Sequence, residues 1–567
     1  MKSHADCDPS TIFSALAWVA YQMQKVRKKQ WPDFKSGHYR RRRGLDARPK
    51  LVHTGAGMKL GTILLCGLFA CARALLAEPE VTLRVLALDR PQAAAEQQLA
   101  DKAFTAQTGI KVVLQTNSAT ELHRKLTQVA RDKAAEYDLL HYDPQWLGQL
   151  VGAGALEQLD APAFLGTNAP ADSPVEWTEA QMLAAATNQA LTLAIFRPEM
   201  TYRLAKFPTI ERDLARREFD KYAATPVFGL PWSVAAEILA FRVDLVDSAF
   251  ARVQPSVAEF YNTHVAPNWT NEWSAFGSAG RLVQLVHENV KAAGARGAAS
   301  RDAVLRDVLP MLWAFGGELW KEEKRQAAGV LNSASNVKAL HYYCEWNSKS
   351  KTPIVPAGSV TWGEAETAKA LADGTIAAAL LGPVPAWKVQ NDKTVRAAGR
   401  LEFAVAPGVV AVVVQAKPSK DPGGAVTGAL DSFQAETTIR RATLSGCVGV
   451  GISSFSKQKP AAWRYLEWLF SRQTQTALIF EKDSNFVSAR KDLAAESRSA
   501  TPVNRVVVES FDLGAVRSPW NVPEAAQLDA ILALECNLAF RGVKTPQAAL
   551  DAAAKEIQAV LDEGSAR

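Results

Sequence analysis

The chain is poor in the side chains that carry covalent and metal chemistry. It holds 6 cysteines and 8 histidines in 567 residues. Cys7, Cys66 and Cys71 fall within the first 77 residues, which leaves Cys344, Cys447 and Cys536, an odd number without metal-ligand spacing. In an oxidising compartment these three allow either one disulfide with a free thiol or three buried thiols. The histidines are scattered, with His123 and His141 the closest pair beyond the first 77 residues. There is no Walker A loop, no G-x-S-x-G elbow and no H-E-x-x-H pair, and Gly446, Gly449 and Gly451 do not fit G-x-G-x-x-G. No catalytic residue, metal or cofactor is therefore expected.

A basic face is missing as well. The formal net charge is +7, but residues 1–57 hold 12 Lys and Arg against 4 Asp, so the remainder sums to −1. Nucleic acid is thereby excluded as a partner. Long apolar runs are also lacking. The run within residues 58–77 is about a dozen residues long, short of a membrane span. With Lys59 before it and Ala72, Ala74 and Ala77 after it, it has the three parts of a secretory signal, cut after Ala74 or Ala77. Leu68-Phe69-Ala70-Cys71 resembles a lipoprotein box, so a lipid anchor on Cys71 is the alternative. A periplasmic location is expected in either case. Residues 1–57 are expected to be a misassigned upstream extension or disordered.

What is present is an ordinary globular composition, 48% apolar and 22% charged, in a chain too long for one core. Residues 82–88 read as a strand that stops at Asp89-Arg90-Pro91. A helix with Leu99, Ala100, Ala103 and Phe104 on one stripe follows, closed by Gly109. Residues 110–114 are the next strand. Ser118-Ala119-Thr120-Glu121 is a capping box for a helix burying Leu122, Leu126 and Val129. Residues 137–140 form a third strand, ending at His141-Tyr142-Asp143-Pro144 ahead of Trp146. Strands alternating with helices imply a doubly wound α/β sheet, and ligands in such folds sit beyond the carboxyl ends of strands, here at Asp89-Arg90 and Asp143 to Trp146.

Residues 228–241 organise the rest. Phe228, Leu230, Trp232 and Val234 alternate as in a half-buried strand. Pro231 cannot donate to a ladder and places that half at an edge or a strand's beginning. From Ala235 the run is apolar except for Glu237, as in a strand covered on both faces. A buried carboxylate needs a partner, and Arg242 or another lobe residue is expected to supply it.

Gly229-Leu230-Pro231-Trp232-Ser233 and Glu237-Ile238-Leu239-Ala240-Phe241-Arg242-Val243-Asp244-Leu245 together resemble the first hinge segment of the bacterial extracellular solute-binding proteins of family 1. So do Phe104, the run Gln107-Thr108-Gly109-Ile110-Lys111-Val112, the run Gly154-Ala155-Leu156-Glu157-Gln158-Leu159-Asp160, the loop around Gly316-Gly317 and Gly382-Pro383-Val384-Pro385-Ala386-Trp387, in family order. The family's Tyr-Asn is replaced by Phe241-Arg242, and the arginine would suit a solute with an acidic group. The resemblance implies a two-lobed periplasmic-binding-protein fold of type II-like architecture, each lobe a doubly wound sheet flanked by helices, with three hinge crossings. Residues 78–236 and 404–470 would form the N-terminal lobe, and 237–403 with 471–567 the C-terminal lobe. The second crossing is expected at residues 401–407 and the third near Ser471. Residues 161–222 cannot be placed, and 409–440 look like a loop-rich insertion.

The implied function is that of an importer's receptor: a monomer that captures a sugar, oligosaccharide or polyol between the lobes and passes it to ABC permease subunits. The alternatives are a sensing receptor for a signalling partner, a receptor for an acidic solute and, remotely, a secreted glycan-processing enzyme. Thirteen of the 15 tryptophans lie beyond residue 77, and an indole face suits the C–H face of a sugar ring. The candidate ligand-binding residues are Asp89, Arg90, Asp143, Trp146, Trp232, Glu237, Trp313, Trp362, Glu364 and Trp387. Each of these tryptophans has core packing as its plainer alternative. Trp463 and Trp468 read as structural.

Overall fold

The computed structural model describes residues 81–159, 195–207, 225–253, 258–259, 261–347, 353–420, 426–520 and 522–566. Residues 1–80, where the export signal is expected, and most of 161–222 lie outside these residues.

Two sheets carry the fold. The first has five strands in the order β2-β1-β3-β12-β4: β1 (Thr82–Leu88), β2 (Lys111–Asn117), β3 (Leu139–Tyr142), β4 (Leu230–Ser233) and β12 (Val448–Ile452). β1 runs parallel to β2 and β3, whereas β12 is antiparallel to β3 and β4. The second has four strands in the order β6-β7-β5-β8: β5 (Ile238–Arg242), β6 (Lys291–Ala293), β7 (Ile376–Leu381) and β8 (Leu401–Val405). β4, which carries Pro231, is an edge strand, while β5 lies between β7 and β8 and is buried along its whole length.

Local chemistry sets the element ends. The helix Pro91–Leu99 continues through a π-turn at Ala100–Phe104 and ends at Gly109, whose φ of 73° is the left-handed geometry a glycine cap adopts freely. Ser118 accepts from the Glu121 N–H at 3.3 Å and starts the helix Ala119–Asp132, which buries Leu122, Leu126 and Val129. Trp468 tilts against Phe104 and stacks on Tyr465 within the first lobe's core. Cys344, Cys447 and Cys536 are free thiols.

Among the described residues the chain passes between the sheets three times, and the passages lie side by side. Residues 234–237 link β4 to β5. Ala236 bridges Ser445, and the Glu237 N–H donates to the Leu444 carbonyl at 3.1 Å. β11 (Thr443–Leu444) pairs in parallel with β13 (Val516–Arg517). The second passage is thus 443–448 and the third about 515–522, and both positions differ from expectation. Residues 401–405 do not cross; they pair with β5 along all five positions. The helices after Ser471 stay with the first lobe, because Leu478, Ile479, Val503, Val506 and Val507 belong to its core and the Val234 N–H donates to Val487 at 2.9 Å. The described residues of 409–440 are not a loop. β9 (Gly408–Lys420) and β10 (Val426–Arg441) form an antiparallel two-stranded ribbon.

The first lobe's core encloses an unusual polar group. Glu96 is fully buried and accepts from the Tyr465 hydroxyl at 2.7 Å, and His141 Nε2 lies 3.7 Å from its other oxygen. Burial pushes the Glu96 carboxyl up to about 8, with Tyr465 opposing, and pushes His141 down to about 3. The contact is therefore one between neutral groups rather than an ion pair.

The two shifts act on stability in opposite senses. His141 adds stability as pH rises from 3 to its ordinary 6.5, and Glu96 removes it as pH rises from its ordinary 4.5 to 8. The Glu96 part is read as the difference between wild type and Glu96→Gln: in urea unfolding it should move in the variant's favour by at most about 1.4 kcal/mol per pH unit between pH 4.5 and 8. A difference that does not change with pH would place the titration elsewhere.

Candidate functional site

The carboxyl ends of β1 and β3 deliver Asp89-Arg90 and Asp143 to Trp146, as expected of an α/β sheet. From the second lobe, the segment after β6 brings Arg296, Arg301 and Arg306 to the same region. Arg301 spans the lobes. Its NH2 lies 2.6 Å from Asp143 Oδ2, its guanidinium sits 6.0 Å from the Trp146 ring centre, and its Nε is 3.8 Å from Asp529. The Gln145 amide is satisfied when its nitrogen donates to Asp529 at 2.8 Å and its oxygen accepts from Arg301 Nε at 2.6 Å. Burial raises the Asp529 carboxyl to about 7; Arg301 and the Trp520 indole N–H, 2.8 Å away, oppose the rise.

Beneath this lies a fully buried ion-pair core. Arg296 has no exposed surface. Its NH1 donates to Glu237 Oε2 at 2.8 Å, its NH2 to Asp307 Oδ1 at 2.6 Å and its backbone N–H to Asp307 Oδ2 at 2.7 Å. Arg306 takes the other oxygen of Glu237 and also pairs with Asp302 at 3.2 Å. Burial alone would raise Glu237, but the two guanidinium groups more than offset it and hold the carboxylate below its ordinary range. Glu364 accepts from the Gly382 N–H at 3.0 Å and lies 3.7 Å from Arg296.

The structure therefore gathers Arg90, Asp143, Trp146, Glu237 and Glu364 around three arginines. Glu237 is paired, but not with Arg242. The two are five apart, on opposite faces of an extended segment, and Arg242 closes on Asp244 at 2.7 Å instead. Trp232 and Trp313, each 2% exposed, belong to the cores. The first packs on His141 and Phe486, and the second lies under Arg517 at 5.1 Å. Trp362 and Trp387 are half-buried, while Asp89 is exposed and held by its backbone N–H to Asn117 at 2.7 Å. A cavity of about 10 Å³ beside Asp307, lined by Trp273, Phe276 and Trp346, has room for one water and not for a sugar.

Arg296, Arg301, Arg306, Asp302, Asp307, Gln145 and Asp529 were not singled out from sequence. A signal existed: arginine recurs every fifth residue from 296 to 306, and aspartate follows the last two. Among the described residues no cluster of three or more His, Cys, Asp and Glu could hold a metal ion.

A family model described as bacterial extracellular solute-binding protein matches residues 89–476. No curated protein matches the chain in sequence. Similar solved structures include a maltose-bound MalE3 from T. maritima, with a TM-score of 0.60 at 18% identity over 85% of this chain and 100% of that one. A ribitol complex of an ABC transporter solute-binding protein from Agrobacterium radiobacter K84 gives 0.57 at 20%, and an α-D-tagatose complex of one from Thermotoga lettingae TMO gives 0.59 at 18%, each over 85% of this chain and 100% of the other.

Removing one member of the buried core should be costly. Arg296→Met leaves Glu237 and Asp307 in a dry site without their shared partner, and urea unfolding at pH 7 should show a loss of about 3–5 kcal/mol. A loss under 1 kcal/mol, on the order of an exposed pair, would mean the guanidinium is dispensable.

Proposed function

The chain belongs to the bacterial extracellular solute-binding protein family, and from that premise we propose that it is the receptor of an ABC importer. It captures a sugar, oligosaccharide or polyol between its lobes and hands it, as a monomer, to a membrane permease. Residues 58–77 serve as its export signal and place it in the periplasm. The observation that carries this reading is the convergence of residues from both lobes on one cluster. Arg90, Asp143 and Trp146 come from the first sheet, and Arg301, Arg306 and Glu364 from the segments around the second. Maltose, ribitol and α-D-tagatose in the matching structures support a polyhydroxylated solute.

The geometry suggests how capture proceeds. The lobes are joined by adjacent backbone passages, and side chains at the cluster bridge from one lobe to the other. A solute that touches both lobes binds the closed arrangement better than the open one and shifts the population toward closure. Arg301 already holds Asp143 and covers Trp146, so hydroxyl groups that enter must share or replace those contacts. The acidic groups are engaged by arginines or backbone N–H groups. They suit recognition, and no chemical step is assigned to them.

Thermal melting against a panel of sugars and polyols tests the reading. A cognate solute at a hundredfold excess over its Kd should add about 2.7 kcal/mol of stability and raise Tm in a dose-dependent way. Small-angle scattering should show a more compact particle in its presence. A panel without any shift would overturn the carbohydrate reading.

A further inference from the structure

We propose that the solute carries an anionic oxygen group, a carboxylate or a phosphate, and that Arg90 is the residue that receives it. The inference rests on the receptor reading above and narrows it to an acidic carbohydrate.

The argument starts from a contrast among four arginines in one region. Arg296 has three carboxylates within 4.0 Å, Arg301 has three and Arg306 has two. Arg90 has no carboxylate within that distance among the described residues. Its guanidinium makes one long hydrogen bond, 3.3 Å from NH1 to the Gly446 carbonyl. A guanidinium carries five N–H donors in a fork that fits two oxygens at once, so most of this one's capacity is unspent.

The negative charges in its field are committed elsewhere. Asp143 is held by Arg301 at 2.6 Å, Asp302 by Arg306 at 3.2 Å and Glu364 by the Gly382 N–H at 3.0 Å. Burial lowers the Arg90 pKa, and the next cause is the positive charge of Arg306, whose own Nε is buried without a partner among the described residues. Arg306 is already joined by Glu237 and Asp302, so it is Arg90, a half-buried cation with unspent N–H groups, that an entering anion would satisfy. Arg90 is also the N-cap of the helix Pro91–Leu99, which no side chain caps, so the helix dipole adds to the same preference. The position is the carboxyl end of β1, where the receptor reading already puts the solute.

Matched pairs of ligands decide the matter. Titration calorimetry on the purified protein at pH 7 compares glucuronate with glucose and galacturonate with galactose, with glucose 6-phosphate and glucosamine as further arms. The acidic member of at least one pair should bind at least tenfold tighter than its neutral parent, and added salt should weaken it. The uronate and phosphate arms tell which anion is meant. In Arg90→Gln the ratio of the acidic member's affinity to its neutral parent's should fall at least tenfold, and Arg90→Lys should recover part of that ratio. Unchanged melting of both ligand-free variants shows that they are folded. A neutral parent or glucosamine that binds as well as the acid, or an acid preference that survives Arg90→Gln, overturns this inference and leaves the receptor reading intact. Silence from every member of every pair counts against both.

Discussion

A guanidinium buried with no exposed surface, Arg296, holds this molecule's working parts in one place. Its carboxylate partners come from two different stretches. Glu237 lies at the first passage between the sheets, and Asp307 lies in the helix Arg306–Ala314. Taking three charges out of water is expensive, and the arrangement survives because the donors aimed at Glu237 and Asp307 meet carboxylate oxygens. Glu237 is also bound through its backbone: its N–H goes to Leu444 and its carbonyl accepts from the Thr443 hydroxyl. One residue thus ties the hinge to the segment that carries Arg301 and Arg306.

That coupling explains how a passage between lobes and the candidate site come to be the same region. The arginines after β6 are fixed from below by Glu237 and Asp307, and from there Arg301 reaches the first lobe. Any relative motion of the lobes must break or exchange the Arg301–Asp143 contact, while the buried pairs beneath it stay intact. The exposed part of the network can rearrange, and the dry part serves as its anchor.

Much of the architecture was legible in the residues. The edge position of β4 follows from Pro231, the burial of β5 from its unbroken apolar run, and the helix at Ala119–Asp132 from Ser118. What the sequence could not supply was assignment between equivalents. Leu401, Phe403 and Val405 alternate as any strand does, and period-two patterning says nothing about which sheet receives it. The apolar helices after Ser471 could have covered either sheet. In the ribbon, Pro418 and the glycines 423 and 424 carry loop signals, whereas the valines between Val409 and Val414 carry strand propensity. At the site, Asp143 and Arg90 were within reach because they follow strands. Indole rings carry no mark of their neighbours: Trp146, Trp232 and Trp313 are all buried in the cores, and Trp146 differs in having Arg301 over its ring. The pairing of Glu237 depended on residues about sixty and seventy positions away, a distance at which local patterns are silent.

The ribbon starts and stops at nearly one point. The chain leaves the second sheet at Val405, and Gly408 pairs with Arg441 just before the hinge strand at Thr443 resumes. An excursion closed at its own base makes no demand on the spacing of what flanks it. Lengthening, trimming or removing that arm would therefore leave the strands on either side of it, β8 and β11, where they are.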